Sequence, residues 1–396
     1  MTPAARLQAA IEIVDAAVAA AQGGGAAADT LIARYFKTRR YAGVRDRREV
    51  RELAYAAIRR AGELPASGRA ALIGLTAERP DLTALFDGSA HGPAPIAPGE
   101  PAAPAGIAPG WLVERLARAL PADELPALLA RAPLDLRVNR LKATREGVLA
   151  ELPEASVGRF APDALRLLDG SAVERTAAWR EGRVEVQDEG SQLIVAACRA
   201  APGMTVVDLC AGAGGKTLAL AAAMGIAPDG RLVACDVDRA RLARFLPRAE
   251  RAGVARVDVR LLDGGHEERA LGNLRDGADV VLVDAPCSGT GTWRRNPEAR
   301  WRLTPARLAR LIALQERVLA LGAGLVRPGG RLVYAVCSLL PEEGPGRIDT
   351  FLAAHPRWRP EGVGFEAGRP CGAGRLLSPA HDDTDGFFVA SLRRPC

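Results

Sequence analysis

The chain has 396 residues, of which 48% are apolar, 25% charged and 4% aromatic, and its formal net charge is +6. This length suggests two or three domains, and a mean hydropathy near zero with ordinary charge content excludes a mainly disordered chain. No run of about 18 apolar residues occurs in the sequence, so we expect no membrane span. The first 20 residues carry Glu12 and Asp15 without a basic leader, which indicates an amphipathic helix, no signal peptide and a cytoplasmic protein.

Seven cysteines are spread along the chain, and no two of them form a C-x-x-C pair. This spacing argues against a four-ligand zinc site, so we expect no metal. The number is odd and the expected compartment is reducing, which argues against a disulfide framework. The cysteines are Cys198, Cys210, Cys235, Cys287, Cys337, Cys371 and Cys396.

Residues 1–88 are predicted to form a helical domain. Asp46 and Glu49 have the spacing of a capping box, which predicts a helix that starts at Asp46 and stops at Gly62. Residues 34–60 contain ten basic residues against three acidic ones, an excess at least as large as that of the whole chain. This run is either a solvated helix face or a surface that contacts phosphates. The candidate phosphate-binding residues are Lys37, Arg39 and Arg40.

A linker and a small α+β segment are predicted next. Residues 89–110 are rich in Pro, Gly and Ala, which is typical of a semi-extended linker. Residues 111–185 then combine a helix from Trp111, a strand over residues 134–139 and a further helix capped by Thr144.

From residue 186 to residue 396, apolar runs alternate with helical stretches. This pattern predicts an α/β domain with a doubly wound parallel sheet. The five predicted strands cover residues 205–209, 231–235, 257–262, 280–283 and 331–336.

A glycine-rich turn follows the first of these strands. It comes after Asp208 and has the sequence Cys210-Ala211-Gly212-Ala213-Gly214-Gly215-Lys216-Thr217. Such a turn lets the backbone approach a ligand closely at a helix N-terminus. One interpretation is a phosphate-binding loop of an NTPase, but Cys210 then stands where the motif needs its opening glycine. The other is the loop of a class I methyltransferase, which binds S-adenosylmethionine.

Acidic residues after the next two strands favour the second interpretation. Asp236 follows the second strand, where a carboxylate can accept both ribose hydroxyl groups of an adenosine ligand. Asp263 follows the third strand and can accept from an adenine amino group. A phosphate-binding loop requires neither carboxylate.

Two Cys-Ser pairs follow the fourth and fifth strands, where ligand chemistry lies in doubly wound sheets. The fourth strand ends in Asp284-Ala285-Pro286-Cys287-Ser288-Gly289-Thr290-Gly291, and the fifth ends in Cys337-Ser338. A single cysteine at such a place is often only a small buried apolar residue. No packing requirement explains two Cys-Ser pairs at neighbouring strand ends, so we expect Cys287 and Cys337 to be reactive.

Together these segments resemble the RsmB/Nop/Sun family of S-adenosylmethionine-dependent RNA (cytosine-5) methyltransferases. The resemblance covers residues 111–396. It rests on residues 186–193, the loop 210–217, residues 284–291, Cys337-Ser338 with Pro341-Glu342-Glu343, and Asp385-Gly386-Phe387-Phe388. Two positions depart from the family pattern, Gly344 after the glutamate pair and Val336 before the second Cys-Ser pair.

The resemblance implies the fold and the partners. It implies a class I methyltransferase (Rossmann-like) domain over residues 186–396, preceded by an RRM-like RNA-binding subdomain over residues 111–185. Within that subdomain Arg137, Asn139 and Lys142 are candidate RNA-binding residues. Residues 1–88 loosely resemble a NusB-like RNA-binding domain. The expected partner is RNA, ribosomal RNA first and tRNA as the alternative, for a monomer without membrane contact.

The resemblance also assigns roles to residues. Cys337 would be the nucleophile and Cys287 would release the product. Asp284 is a candidate to hydrogen-bond the cytosine ring, and Lys216 would anchor Asp284 near the cofactor. Two other classes stay open at this point, namely a P-loop NTPase and a non-catalytic RNA-binding assembly factor with the same fold.

Overall fold

The computed structural model describes residues 1–167, 173–225, 229–254 and 256–396. The chain divides into two units, and each is discontinuous in sequence. Unit 1 comprises Met1–Arg131 and Thr292–Pro305, and unit 2 comprises Ala132–Gly291 and Ala306–Cys396. The boundary that we predicted at residues 89–110 therefore lies inside unit 1.

Unit 1 is built from helices. In the first of them Leu7, Ile11, Val14 and Val18 recur every three or four residues and are buried, so one helix face packs on the core. The elements are α1 (Pro3–Gly23), α2 (Ala28–Lys37), α3 (Val44–Arg60), α4 (Gly68–Leu75) and α5 (Gly110–Leu116), with 3-10 helices at Pro80–Leu85, Ala122–Leu129 and Pro297–Arg302.

The start of α3 differs from the prediction. Gly43 is the N-cap, and Asp46 lies in the first turn, where its carboxylate accepts a hydrogen bond from the Gly43 backbone N at 3.1 Å. Asp46 also pairs with Arg6 at 2.9 Å. It stabilises the start of the helix from the third helical position, as a negative charge near a helix N-terminus does.

The predicted linker is held against the helices of unit 1. Ala103 N donates to Ala70 O at 2.9 Å, and Ala61 and Ala105 form an isolated antiparallel bridge. Arg69 pairs with Glu100. The Pro-rich composition prevents regular structure in this segment, but its backbone finds partners on α4 and after α3.

The second segment of unit 1, Thr292–Pro305, closes the C-terminal end of α3. The side chain of Arg300 is fully buried, and its Nη2 donates to the carbonyl oxygens of Ile58 and Ala61 at 2.6 and 2.8 Å. Trp301 Nε1 donates to Ala61 O at 2.9 Å. The last carbonyl groups of a helix lack partners within it, and here a distant segment of the chain supplies them.

Unit 2 contains a four-stranded antiparallel sheet of order β2-β3-β1-β4. Its βαββαβ arrangement confirms the predicted RRM-like, or ferredoxin-like, subdomain. The elements are β1 (Leu134–Val138), α6 (Arg145–Glu151), β2 (Ala155–Val157), β3 (Ala164–Leu167), a 3-10 turn (Val173–Arg175), α7 (Ala177–Arg180) and β4 (Val184–Val186).

A second, larger sheet follows in unit 2. Its helices and the short 3-10 turns are α8 (Glu189–Cys198), α9 (Gly215–Met224), α10 (Arg239–Ala252), α11 (Glu267–Leu271), Gly272–Leu274, Thr290–Thr292, α12 (Pro305–Leu325), α13 (Pro345–Ala354) and α14 (Pro379–Asp382). Its strands are β5 (Thr205–Asp208), β6 (Arg231–Asp236), β7 (Asp258–Leu261), β8 (Ala278–Asp284), β9 (Val326–Val336), β10 (Arg359–Glu361), β11 (Arg369–Cys371), β12 (Gly374–Leu377) and β13 (Phe387–Arg393).

The order of this sheet is β11-β12-β13-β9-β8-β5-β6-β7, with β10 beside β13. Strands β5 to β9 pair in parallel and are the five predicted strands, while β13 joins β9 in antiparallel orientation. The apolar run of β8 is almost entirely buried, as a central strand covered on both faces requires. No helix in the described ranges is long and apolar enough to cross a membrane.

Candidate active site

The carboxyl ends of the parallel strands lie at one edge of the large sheet. Asp208 ends β5 and pairs in register with Leu282 of β8, and Asp284 at the end of β8 pairs with Ala335 of β9. Because parallel strands share a direction, the residues that follow them meet at this edge. The structure therefore brings the predicted glycine-rich loop, the acidic residues and the two Cys-Ser pairs to one side of the sheet.

The glycine-rich loop between β5 and α9 is tied to the end of β6. Gly212 N donates to Asp236 Oδ2 at 2.7 Å. Gly212 and Gly214 both have positive φ, +57° and +81°, a region that side chains other than glycine rarely adopt. A Cβ on Gly214 would also lie 1.9 Å from a ring carbon of Phe245. Only glycine fits at position 214.

The other loop residues complete a tight turn. Ala211 N donates to the backbone oxygen at the end of β6, and Ala213 O accepts from Arg248 Nη1 at 2.7 Å. Gly215 begins α9. Burial, together with the charge of nearby Asp208, raises the pKa of the Cys210 thiol well above its usual value, so this cysteine stays protonated.

Asp208 lies beneath this loop and is fully buried. Its Oδ2 accepts from Thr217 Oγ1 at 2.7 Å, while its Oδ1 has no partner among the described residues. Burial raises the pKa of Asp208 to about 7, the hydrogen bond from Thr217 opposes this shift, and the charge of Asp284 adds to it.

The residues after β6 and β7 fit an adenosine-containing cofactor. Asp236 holds the loop through one oxygen and accepts from Asp238 N through the other. The next side chain, Val237, is 66% exposed and offers an apolar surface. Asp263 is exposed two residues beyond β7. Asp236 suits the ribose, and Val237 and Asp263 suit the face and the amino group of the adenine ring, beside the glycine-rich loop.

Lys216 and Asp284 form an ion pair across this edge. Lys216 Nζ lies 2.7 Å from Asp284 Oδ2, and both side chains are largely buried. Burial alone would lower the pKa of Lys216, but the charge and the hydrogen bond of Asp284 outweigh it and hold the pKa above its usual value. Lys216 therefore stays charged and fixes the position of Asp284.

The two cysteines of the Cys-Ser pairs are in contact. Their Sγ atoms lie 3.3 Å apart, and both residues are partly exposed. The hydrogen bond to Cys337, burial and the charges of Cys337 and Glu343 raise the pKa of Cys287 well above its usual value. The sulfur of Cys287 therefore keeps its proton and can share it with Cys337.

The proposed RNA-contacting role of two residues in the small sheet is wrong. Arg137 is 4% exposed and donates to Gln187 Oε1 at 2.7 Å, and Asn139 is 2% exposed and donates to two backbone oxygens. Both side chains hold the subdomain to its neighbours within unit 2 and cannot reach RNA. Lys142 is exposed, but its Nζ also donates to two backbone oxygens.

The basic run of unit 1 separates into paired and unpaired side chains. Arg39 is half-buried, pairs with Glu12 at 3.2 Å and lies over the ring of Tyr35. Lys37 and Arg40 are exposed, and neither forms an ion pair within the described part of the chain. Of the three candidates, Lys37 and Arg40 are thus the accessible charges.

One residue of this edge had no role assigned from the sequence. Glu343 is fully buried, and its carboxylate accepts hydrogen bonds from Ser288, Ser338 and Gln315. The sequence signal for it was the Pro341-Glu342-Glu343 motif after Ser338, and a motif does not show that a charged side chain is buried. Among the described residues, no group of three or more His, Cys, Asp or Glu side chains could hold a metal ion.

The large sheet and its glycine-rich loop define unit 2 as a class I methyltransferase fold that carries a ferredoxin-like subdomain. Comparison with known families supports this class. Residues 196–393 match the family described as 16S rRNA methyltransferase RsmB/F, and residues 108–174 match the RsmF/B-like ferredoxin-like domain. The chain belongs to the RsmB/F methyltransferase family, and a P-loop NTPase is excluded.

Individual proteins agree with this assignment. The chain is 37% identical over 291 residues to Ribosomal RNA small subunit methyltransferase B of Klebsiella pneumoniae, across 72% of this chain and 65% of that protein. The crystal structure of PH0851 covers all of this chain and 99% of its own, with 26% identity and a TM-score of 0.78. A methyltransferase homolog protein from Pyrococcus horikoshii covers 72% of this chain and 94% of its own, with 27% identity and a TM-score of 0.63.

Proposed function

We propose that this protein transfers a methyl group from S-adenosylmethionine to carbon 5 of a cytosine in ribosomal RNA. The observation that carries the proposal is the contact between Cys287 and Cys337, 3.3 Å apart at the carboxyl edge of a methyltransferase sheet. Family membership supports the methyl transfer and the ribosomal substrate. The thiol pair supports the choice of carbon 5.

Carbon 5 of cytosine is a poor nucleophile, and a thiolate can remedy this. When Cys337 Sγ adds to carbon 6 it forms a C–S bond, and carbon 5 gains the electron density of an enamine. Carbon 5 then takes the methyl group, for which S-adenosylmethionine is the electrophilic source. Removal of the proton from carbon 5 and cleavage of the C–S bond restore the ring and return the thiolate.

The neighbouring side chains suit these steps. Cys337 is the nucleophile that the family resemblance implies. The raised pKa of Cys287 keeps a proton on that sulfur, which makes Cys287 the candidate for proton handling during release. Asp284, fixed by Lys216 at 2.7 Å, would hydrogen-bond the cytosine ring. A preorganised partner of this kind stabilises charge that develops on the ring.

The cofactor would be held by the glycine-rich loop and the acidic residues. Residues 210–216 would approach the sulfonium and amino-acid end, Asp236 would accept from the ribose and Asp263 from the adenine amino group. The positive φ of Gly212 and Gly214 supports close backbone approach at this point. The cytosine must leave any base stack to reach the cysteines, so an unpaired or transiently opened RNA segment is the expected target.

The test is to remove each thiol separately. We expect Cys337→Ala to lose methyl transfer while it still binds S-adenosylmethionine, and Cys287→Ala to accumulate a covalent complex with RNA that survives denaturing electrophoresis. Cys371→Ala, on β11 away from the assigned residues, serves as the control with unchanged activity.

Two outcomes would contradict the proposal. Normal turnover by Cys337→Ala would remove its role as nucleophile, and the absence of any adduct with Cys287→Ala would remove the release role of that residue. Cofactor binding by the wild-type protein without methyl transfer to any cellular RNA would favour a non-catalytic assembly factor.

A further inference from the structure

A buried carboxylate connects the two Cys-Ser pairs. Glu343 lies between β9 and α13, and its Oε1 accepts from Ser288 N at 2.9 Å and from Gln315 Nε2 at 2.8 Å. Its Oε2 accepts from the hydroxyl groups of Ser288 and Ser338. Tyr334 OH donates to the backbone oxygen of Glu343 at 2.7 Å. One side chain thus contacts the residues that follow both cysteines.

The surrounding groups are arranged as donors toward this carboxylate. Ser338 Oγ already accepts from Leu340 N at 3.1 Å, so its single hydrogen is available for Glu343. Thr290 Oγ1 accepts from Leu339 N at 2.9 Å and lies 3.2 Å from Ser338 Oγ. A carboxylate accepts from several donors at once, and both oxygens of Glu343 are bonded here, which restricts the geometry of the loops that they join.

Two main-chain hydrogen bonds join the same loops. Gly291 N donates to Cys337 O at 3.0 Å, and Ala285 N donates to Ala335 O at 2.8 Å. These bonds fix residues on either side of Cys287 but not the residue itself. The serine next to Cys287 is held by Glu343 through both its backbone and its hydroxyl group.

We propose that Glu343 is a positioning residue that holds both Cys-Ser loops in the one arrangement in which the two sulfur atoms touch. Its catalytic meaning rests on the proposed function, because that function uses both thiols in turn. A small displacement between positioned groups costs a large factor in rate. The negative charge of Glu343 also contributes to the raised pKa of Cys287, which keeps the proton on that sulfur.

The test measures how fast a reagent bridges the two thiols, and it needs neither RNA nor cofactor. Dibromobimane becomes fluorescent when it bridges two nearby thiols, and the bridged Cys287–Cys337 peptide pair can be identified by mass. We expect Glu343→Ala to slow this bridging by about tenfold or more, because the effective concentration of one thiol at the other falls. With methylation assayed, the same variant should lose kcat with little change in the KM for RNA.

The control is a second buried carboxylate in unit 2. Asp382 is 1% exposed and accepts hydrogen bonds from Gly368 N and Ser378 N, away from both Cys-Ser loops. Asp382→Ala should lower thermal stability without slowing the bridging of the two thiols. A folded Glu343→Ala that bridges at the wild-type rate would overturn the positioning role.

A second variant separates the charge of Glu343 from its shape. Glu343→Gln keeps the volume and the bond to Ser288 N, so we expect near-normal bridging of the thiols. Its bridging should begin at lower pH than in the wild type, because the charge that helps to raise the pKa of Cys287 is gone. An unchanged pH profile for Glu343→Gln would contradict the proposed effect of the Glu343 charge on Cys287. This comparison can be made even if Glu343→Ala does not fold. The variants could bridge as expected while the wild-type protein makes no 5-methylcytosine. That outcome would reject the proposed function but not the positioning role of Glu343.

Discussion

The carboxyl group of Asp208 links the stability of the methyltransferase unit to pH. In the folded protein the pKa of Asp208 is raised to about 7, mainly by burial, against 3.8 for an ordinary aspartate. Between these values the folded state binds a proton that the unfolded state has released. The contribution of Asp208 to the free energy of unfolding is therefore fully present below about pH 4. It is lost as the pH rises to about 7, at up to about 1.4 kcal/mol per pH unit.

Asp208→Asn tests this linkage. The amide keeps an oxygen for the hydrogen bond from Thr217 and has no proton to lose, so we expect a smaller decline in denaturant midpoint between pH 5 and pH 7. Asp263→Asn, which changes an exposed carboxylate, should follow the wild-type curve. Identical slopes for wild type and Asp208→Asn would contradict the buried titration.

At the residue scale, the sequence predicted best where a side chain follows a strand. The contacts between Cys287 and Cys337 and between Lys216 and Asp284 follow from one rule, that the ends of parallel strands share an edge. The RNA contacts expected of Arg137 and Asn139 are not supported, because both side chains are buried. These two candidates came from the family resemblance, which does not show burial. In the structure Arg137 donates to Gln187, and Asn139 donates to two backbone oxygens.

At the scale of elements, the corner between α2 and α3 is an accessible part of the basic run. Lys37 and Arg40 are exposed there, next to Tyr41 at 73% exposure and Val44 at 88% exposure. Exposed cations beside an exposed aromatic ring suit the phosphates and bases of single-stranded RNA. We expect Lys37→Ala and Arg40→Ala each to weaken RNA binding and to reduce the slope of log K against log salt by about 0.7.

Arg79→Ala is the matched control for this prediction. It also removes one exposed positive charge from unit 1, but Arg79 is paired with Asp81 at 2.7 Å. Its salt slope should equal that of the wild type. Equal slopes for all variants in filter-binding titrations would show that the corner between α2 and α3 does not contact phosphate.

The positions of the regular strands could be predicted from the sequence, whereas the contacts of the irregular segment around Arg300 could not. The five parallel strands lie where they were predicted. For the four inner strands, β5, β6, β8 and β9, burial demands the apolar runs, whereas the edge strand β7 is only partly buried. The segment around Arg300 could not be predicted in the same way. Its guanidinium serves carbonyl groups about 240 positions away, and neither periodicity nor composition contains a long-range backbone contact of that kind.

At the scale of the whole molecule, segments of the two units alternate along the sequence. The segment Thr292–Pro305 belongs to unit 1 and follows directly on residues 284–291, which contain Cys287. The predicted boundary at residues 89–110 missed this arrangement, because a Pro-rich segment looks like a linker in sequence even where its backbone is held.

The central claim is that this protein makes 5-methylcytosine in ribosomal RNA. Bisulfite sequencing of total RNA from cells with and without the gene tests it most directly. We predict that one cytosine of small-subunit ribosomal RNA loses its methyl group in the deletion, and that the wild-type gene but not Cys337→Ala restores it. A map of 5-methylcytosine that is the same in both cells would contradict the account.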